Sequence, residues 1–366
     1  MAIGLSFASA RAAAGEPATR PALSREETIA AYEARFGRAR PVVAVIGENS
    51  GTELTDYVIP YSLLAQSGRA DVVALAIAPG AVVMQPTSLR LVPQATADRF
   101  DADYPQGADY VIVPAVVRKD NPRLLAWIRE QRDKGATLVS ICDGALVLAA
   151  AGVLEGRRAT AHWFTAKLRQ AQYPRTEWVG NTRYVVDAGI VSSAGISAAI
   201  PTALRLVEAI AGHAVAKELG ARYGVREWGT AHNSDAFVPR FGVNLMPYAV
   251  TKYLNRWFFR TEAIGVPLSA GVDDVMLALT MDAYTRTGRS RAYALSDGTA
   301  PVSTRSGLAF LPDIVIPGGQ APARVVAPLT PAPGAQVFDG ILGDIAALYG
   351  TRTATGVAYD FEYAWN

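Results

Sequence analysis

The sequence predicts an α/β protein: a mostly parallel sheet with helices on both faces, followed by a second, degenerate α/β half. Three observations carry that reading. Short apolar runs alternate with helix-length stretches from residue 42 to residue 212, the pattern of strand–helix–strand units. One such run, Thr137 to Ile141, turns sharply at Cys142 into a helix-forming stretch, Ala145 to Ala151. From Val266 onward the order of elements starts again, as an internal repeat of weak identity.

Residues 1–40 read as a leader and an arm. Ala2 to Ala8 is apolar but short and lacks a basic start, while Ala8-Ser-Ala10 and Ala12-Ala-Ala14 resemble small-residue cleavage sites. A truncated signal or anchor and a disordered Ala-rich leader both fit, so the compartment, cytoplasmic or exported to the envelope, stays open. Ser24 and Glu27 form a capping box, which predicts a polar helix to Phe36.

Val42 to Ile46 is the first buried strand and Gly47 to Gly51 a loop. A helix from Glu53 to Ser67 closes at Gly68; Pro60 should kink it unless the first turn begins late. Asp71 to Ile77 is a second strand, Val82 to Val92 a hairpin or meander, and Tyr110 to Val113 a third core strand ended by Pro114. Asn121-Pro122 places an N-cap before proline at the first helical position, and that helix stops at Gly135. After the corner come His162-Trp163, a helix to about Gln172, and an edge strand at Trp178. Two strands follow about a turn at Asp187–Gly189, then an apolar helix from Ser197 to Ile210. One domain therefore spans 41–212.

Residues 213–262 have no clear period and are expected to be a connector, with Trp228, Trp257, Phe258 and Phe259 packing between the halves. Residues 263–366 form the partial repeat. Its helix ending at Gly288 matches the one ending at Gly68, Arg291 to Leu295 matches the second strand, and Leu308 to Pro312 matches Leu89 to Pro93. Asp313 to Gly319 is expected to match Asp109 to Pro114. A Pro-rich linker (Pro322 to Pro333) and helical material from Phe338 to Tyr363 complete it.

With 366 residues, half of them hydrophobic, and 35 basic against 33 acidic side chains, the chain is globular and near neutral. Aromatics beside Lys252, Arg256 and Arg260 are therefore not read as a nucleic-acid surface. One cysteine excludes an intrachain disulfide framework, and three histidines with it make no zinc spacing, so no metal or cofactor is expected.

Cys142, at the start of a helix, is placed where unpaired N–H groups and the helix dipole favour an anion. A downward shift of about two pH units would make the thiolate the majority form near neutrality. The alternative is a small buried hydrophobe.

Several stretches resemble the ThiJ/PfpI family of the class I glutamine amidotransferase-like superfamily: Leu124 to Glu130, Val139 to Ala149 around the cysteine, Gly156 to Trp163, and Ser192 to Ser197. The closest look is to isocyanide hydratases and to the amidase-like domains of AraC-type regulators, and it covers residues 41–212. The resemblance implies a flavodoxin-like sandwich with a nucleophile elbow and Cys142 as the reactive cysteine. It implies Asp56, in Asp56-Tyr-Val-Ile-Pro60, as the acid that shares a proton with the sulfur, with Glu48 and Glu53 as runner-up acids. His162 falls where the family often has a pocket histidine, and the N–H groups of Ala115 and Asp143 would form an oxyanion site. Three departures stand out. Pro114-Ala115-Val116 replaces Pro-Gly-Gly. Asp143 follows the cysteine, where its carboxylate raises the thiol pKa unless Arg118, Lys119 or the helix start neutralises it. No histidine follows Cys142, which disfavours proteolysis.

These features predict a cysteine-dependent hydratase or hydrolase acting on a small electrophile such as an isocyanide, an α-oxoaldehyde or an amide-like bond. The alternative is a non-catalytic protein that binds a small molecule or senses redox state at Cys142. No helix-turn-helix pattern is evident in 213–366, so direct binding to nucleic acid is not expected. A homodimer is compatible with the sequence, as is an envelope protein tethered through a lost N-terminal segment.

Overall fold

The computed structural model describes residues 27–328, 330 and 336–365. Seven strands form the main sheet: β1 (Val42–Gly47), β2 (Asp71–Ala76), β3 (Ala95–Thr96), β4 (Tyr110–Val113), β5 (Thr137–Ser140), β6 (Tyr184–Asp187) and β7 (Ile190–Ser193). Their spatial order is β6-β7-β5-β4-β1-β2-β3. Every neighbouring pair is parallel except the β6–β7 hairpin, which turns through Ala188 and Gly189, both at positive φ.

Alternation along β1 shows why the sheet is covered twice. Val43 and Val45 enter one core, while Val42, Ala44 and Ile46 enter another on the opposite face. The second core takes Leu124, Trp127 and Ile128 of α2 (Pro122–Asp133) and Val147 and Leu148 of α3 (Gly144–Ala150). The first takes α1 (Leu54–Gln66) and α4 (Ala199–Ala211), and it continues without a break into residues of the second half, including Met276 and Phe338. As predicted, Asn121 accepts from the Arg123 and Leu124 N–H groups at the start of α2. Pro60 lies inside α1, whose first turn begins at Leu54.

The second half has its own parallel sheet: β8 (Glu262–Pro267), β9 (Ser290–Ser296), β10 (Ile314–Val315) and β11 (Arg324–Val325), in the order β10-β9-β8-β11. Helix α5 (Asp274–Arg286) connects β8 to β9 and packs against α1. Helices α6 (Val337–Tyr349) and α7 (Thr351–Asp360) close the chain. A small five-stranded sheet ties the halves together. In it Arg90–Val92 and Ala309–Leu311, taken from the two segments matched in sequence, pair antiparallel with Leu91 opposite Phe310.

Four expectations are corrected. The leader and Ser24 lie outside the described residues, and from Glu27 to Phe36 the chain is not helical. Glu27 instead pairs with Arg158 at 2.6 Å and accepts from the Val186 N–H, while Tyr32 N–H donates to Ala209; long-range partners outweigh the local capping pattern. Residues 213–262 are not devoid of regular structure, because Gly212, at φ +88°, separates α4 from a further helix, His213–Arg222. Trp228 is buried, but Trp257 and Phe258 are exposed, and Phe259, half exposed, lies under Arg289 of the second half. Finally, Asp313 occupies the place of Gln94, not of Asp109. Gln94 Oε1 accepts from Ala74 N–H and Asp313 Oδ2 from Ala294 N–H, each just before a short strand at the sheet edge. The strand beside β8 on its other side is β11.

Candidate active site at the Cys142 elbow

The corner is built by backbone strain and one close approach. Cys142 has φ +54°, the left-handed region that non-glycine residues seldom adopt. Gly144, two residues on, lies so close to β4 that an added Cβ would stand 2.0 Å from the Val113 carbonyl oxygen. Hydrogen bonds from Ile141 N–H to Val113 (3.1 Å) and from Gly144 N–H to Ile141 (2.8 Å) hold the turn, and Cys142 N–H donates to Ser193 Oγ at 3.3 Å. In the sequence the glycine reads only as turn chemistry; its need comes from the neighbouring strand.

The predicted acid, Asp56, is fully buried in the first turn of α1. Its Oδ2 accepts from Ala115 N–H at 3.1 Å, and its Oδ1 has no partner among the described residues. The loop carrying Ala115 is fixed to α1: Glu53 N–H donates to the Ala115 carbonyl at 2.8 Å. Neither Ala115 nor Val116 has positive φ, so replacing the family's glycines costs no backbone strain here. The expected oxyanion role of Ala115 N–H is not open in this state, because the buried carboxyl takes that donor.

Burial pushes the Asp56 carboxyl up to about 8, against the lowering effect of the Ala115 N–H; the Asp143 charge pushes the same way as burial. Burial, reinforced by Asp56, raises Glu53 to about 7. Glu53 is the N-cap of α1, accepting from Asp56 N–H at 2.6 Å, and Arg286 of α5 lies 2.9 Å from its other oxygen. Arg286 also pairs with Asp282 at 2.6 Å, and Thr55 Oγ1 bridges Glu53 and Asp282. This network from the second half has no local signature in the sequence.

The thiol does not follow the expectation of a lowered pKa. Burial drives Cys142 well above its usual value, and Asp56, Asp143 and Glu53 push in the same direction; only the Asp143 N–H directed at the sulfur opposes them. Helix α3 is seven residues long, too short for its dipole to offset desolvation and three carboxyl groups. Cys142 is 6% exposed, and its surroundings oppose ionisation of the thiol.

Asp143 is raised by burial and eased by His162, Thr165 and Arg169. Its Oδ1 accepts from Thr165 Oγ1 at 2.7 Å. The groups that temper it are thus not Arg118 or Lys119; Lys119 contacts Tyr173 instead. Arg169, buried, reaches the His162 carbonyl at 2.5 Å. Both His162 nitrogens are taken, Nδ1 accepting from Phe164 N–H and Nε2 donating to the Asp360 carbonyl at 3.0 Å, so the ring ties the loop to the end of α7. Glu48 holds its own turn through Ser50 and Asn121 and does not join the elbow acids.

The end of the chain covers this region. Trp163 N–H donates to Glu362 Oε1 at 2.7 Å and Ser197 N–H to the Phe361 carbonyl at 2.8 Å. Glu362 Oε2 meets His232 at 2.6 Å, and the carboxylate lines a cavity of about 950 Å³ with Tyr223, His232 and Phe338. Burial alone would raise Glu362; the hydrogen bond with His232, the neighbouring His162 and the Trp163 N–H hold it at about 2. Among the described residues no group of three or more His, Cys, Asp or Glu is placed to hold a metal ion.

Residues 42–209, which hold this corner and α1, match the DJ-1/PfpI family. Those residues are a DJ-1/PfpI family domain. The domain is similar to the HTH-type transcriptional regulator CdhR of Pseudomonas aeruginosa, with 35% identity over 107 residues, 29% of this chain and 32% of the regulator. It is also similar to isonitrile hydratase of Pseudomonas putida, with 34% identity over 97 residues, 25% of this chain and 40% of the hydratase. The match thus spans less than half the length of either relative. Among solved structures, a DJ-1 superfamily protein of Salmonella typhimurium aligns with TM-score 0.44 and 24% identity, covering 49% of this chain and 96% of that one. Drosophila melanogaster DJ-1beta aligns with TM-score 0.44 and 21% identity, over 50% and 96%.

Proposed function

We propose that the DJ-1/PfpI domain is a cysteine-dependent hydratase or hydrolase for a small electrophile of the isocyanide, α-oxoaldehyde or amide-like class. The observation that carries this reading is Cys142 at φ +54° within the electrostatic reach of Asp56, a carboxyl poised near 8 with one oxygen unpartnered among the described residues. In its singly protonated state such a coupled pair has two forms, thiol with carboxylate and thiolate with carboxylic acid. With an isocyanide, the sulfur bonds to the terminal carbon and Asp56 delivers a proton to that same carbon, giving a thioimidate. Asp56, now a carboxylate, takes a proton from the water that adds to the C=N carbon and passes it to the nitrogen; the C–S bond then breaks, the formamide leaves and the sulfur takes the remaining hydroxyl proton. With an amide-like substrate the proton goes to nitrogen, the C–N bond breaks and the amine leaves before water displaces the sulfur. Asp143 N–H faces the growing charge. The isonitrile hydratase among the relatives supports the substrate class.

The reading extends to the rest of the chain. Residues 213–262 act as a connector, and 263–366 are a partial repeat that contributes Arg286 and Asp282 to the acid network in place of a second nucleophile. A homodimer is not required for that contribution.

A second reading is favoured by the closed state itself: the Ala115 N–H, both His162 nitrogens and the raised thiol describe a site that binds without turning over. Redox sensing fits less well, since oxidation follows thiolate character and access. The test is a panel of small isocyanides, α-oxoaldehydes and amides with the wild-type chain, Cys142→Ser and Asp56→Asn. Turnover that falls at least about a hundredfold in both variants supports the enzyme; turnover unchanged in Cys142→Ser refutes it.

A further inference from the structure

We propose that the segment from Phe237 to Thr261 is a docking surface for an anionic lipid bilayer, lying in the headgroup layer. The proposal rests on different residues from the elbow and does not depend on its chemistry.

The chain buries Trp163 and Trp228, yet it leaves Phe241 92%, Trp257 76% and Phe258 72% exposed, with Val243, Met246, Tyr253 and Phe259 each at least half exposed. So many large apolar groups exposed along one segment mark an interaction surface. The segment is nevertheless anchored. From Leu245 to Phe258 it is helical, with one π turn at Val250–Leu254. Its inner side is fixed by Asn255, which donates to Thr287 O at 2.7 Å and to Thr353 Oγ1 at 3.1 Å, and by Thr251 packed on Gly356. Its outer side presents Tyr253 and Trp257 with ring centroids 6.3 Å apart.

Charge identifies the occupant. Between Phe237 and Thr261 there are four basic residues and no acidic one. Lys252 is engaged by Asp360 at 2.6 Å, whereas Arg240, Arg256 and Arg260 are exposed. Exposed aromatic rings in a segment that also exposes guanidinium groups suit a headgroup layer, where rings sit at the acyl boundary and each cation meets anionic phosphate. A second copy meeting the same face would oppose Arg256 and Arg260 to their own equivalents. A nucleic acid offers nothing to Val243, Leu245 or Met246. The helical stretch is too short to span a bilayer, and no helix of the described residues is long and apolar enough to do so; the surface lies on the membrane.

The test is co-sedimentation of the full chain with vesicles of phosphatidylcholine alone or mixed with phosphatidylglycerol, at low and high salt. The expected result is retention on the phosphatidylglycerol vesicles that weakens with salt. Arg256→Gln/Arg260→Gln should weaken it about 30-fold, and Trp257→Ser/Phe258→Ser at least about tenfold, both variants keeping the wild-type circular dichroism and melting curve. Failure to bind phosphatidylglycerol vesicles at low salt overturns the proposal, as does binding that neither double variant changes. Self-association lost in Trp257→Ser/Phe258→Ser without vesicle binding makes the face a contact between copies. Displacement from vesicles by duplex DNA at equal charge makes it a nucleic-acid surface.

Discussion

Arg286 and Glu53 form an ion pair at 2.9 Å across 233 positions of sequence. A cation of the second half thereby holds the carboxylate that caps the helix carrying Asp56. The guanidinium stays fully charged because Asp282 and Glu53 outweigh its burial. Removing it leaves two buried carboxyl groups facing each other. Arg286→Met should cost about 3–5 kcal/mol in urea unfolding. Adding Glu53→Gln and Asp282→Asn should restore part of that loss, because the whole network is then neutral.

Asp56 and Glu53 set the alkaline side of the stability profile. Both have folded values, about 8 and about 7, above their unfolded ones. Their contribution is full below pH ~4 and is lost as pH rises through 7 to 8. The chain should melt at higher temperature at pH 5 than at pH 9, by an amount equivalent to a few kcal/mol. Asp56→Asn, which keeps an acceptor for Ala115, should flatten most of that slope; an unchanged slope would mean that Asp56 ionises normally.

Glu362 governs the acid side. Held at about 2, it stabilises the chain above its unfolded value near 4.5, and the contribution fades as pH falls toward 2. Glu362→Gln should cost about 3 kcal/mol at neutral pH and remove part of the acid limb in a pH series of thermal melts. Because Glu362 binds Trp163 N–H, the same variant should loosen the chain end over the elbow, seen as faster amide exchange at Trp163.

Gly144→Ala should not give a stable protein, since its Cβ would meet backbone that no rotamer relieves, 2.0 Å from Val113 O. A loss of more than about 4 kcal/mol is expected. Gly229→Ala, with no atom within 4 Å, is the control and should stay within about 0.5 kcal/mol of wild type.

What the sequence made legible was local. The strand run before Cys142, the Asn121-Pro122 cap and the turn at Gly189 each carry their signal within a few residues, and the structure has them in place. Asp56 was reachable through family resemblance, not through its spacing. Arg286, Asp282 and Glu362 were out of reach, because they meet the elbow region only through the packing of α1 on α5 and the return of the chain end. The raised pKa of Cys142 is hidden for the same reason: a helix start is visible in sequence, whereas depth of burial and carboxyl groups arriving from other elements are not. The hydrophobicity of Trp257 is visible in the sequence, and its exposure is not.

The central claim is that Cys142 and Asp56 titrate as a coupled pair. It is tested most directly by the ultraviolet thiolate absorbance of the lone cysteine against pH, in wild type and Asp56→Asn. The account predicts a wild-type thiol that ionises above the usual range near 8.5, and a fall of about one pH unit or more in Asp56→Asn as the neighbouring charge is removed. A thiol already ionised at pH 6, or one whose titration is the same in both proteins, would contradict it.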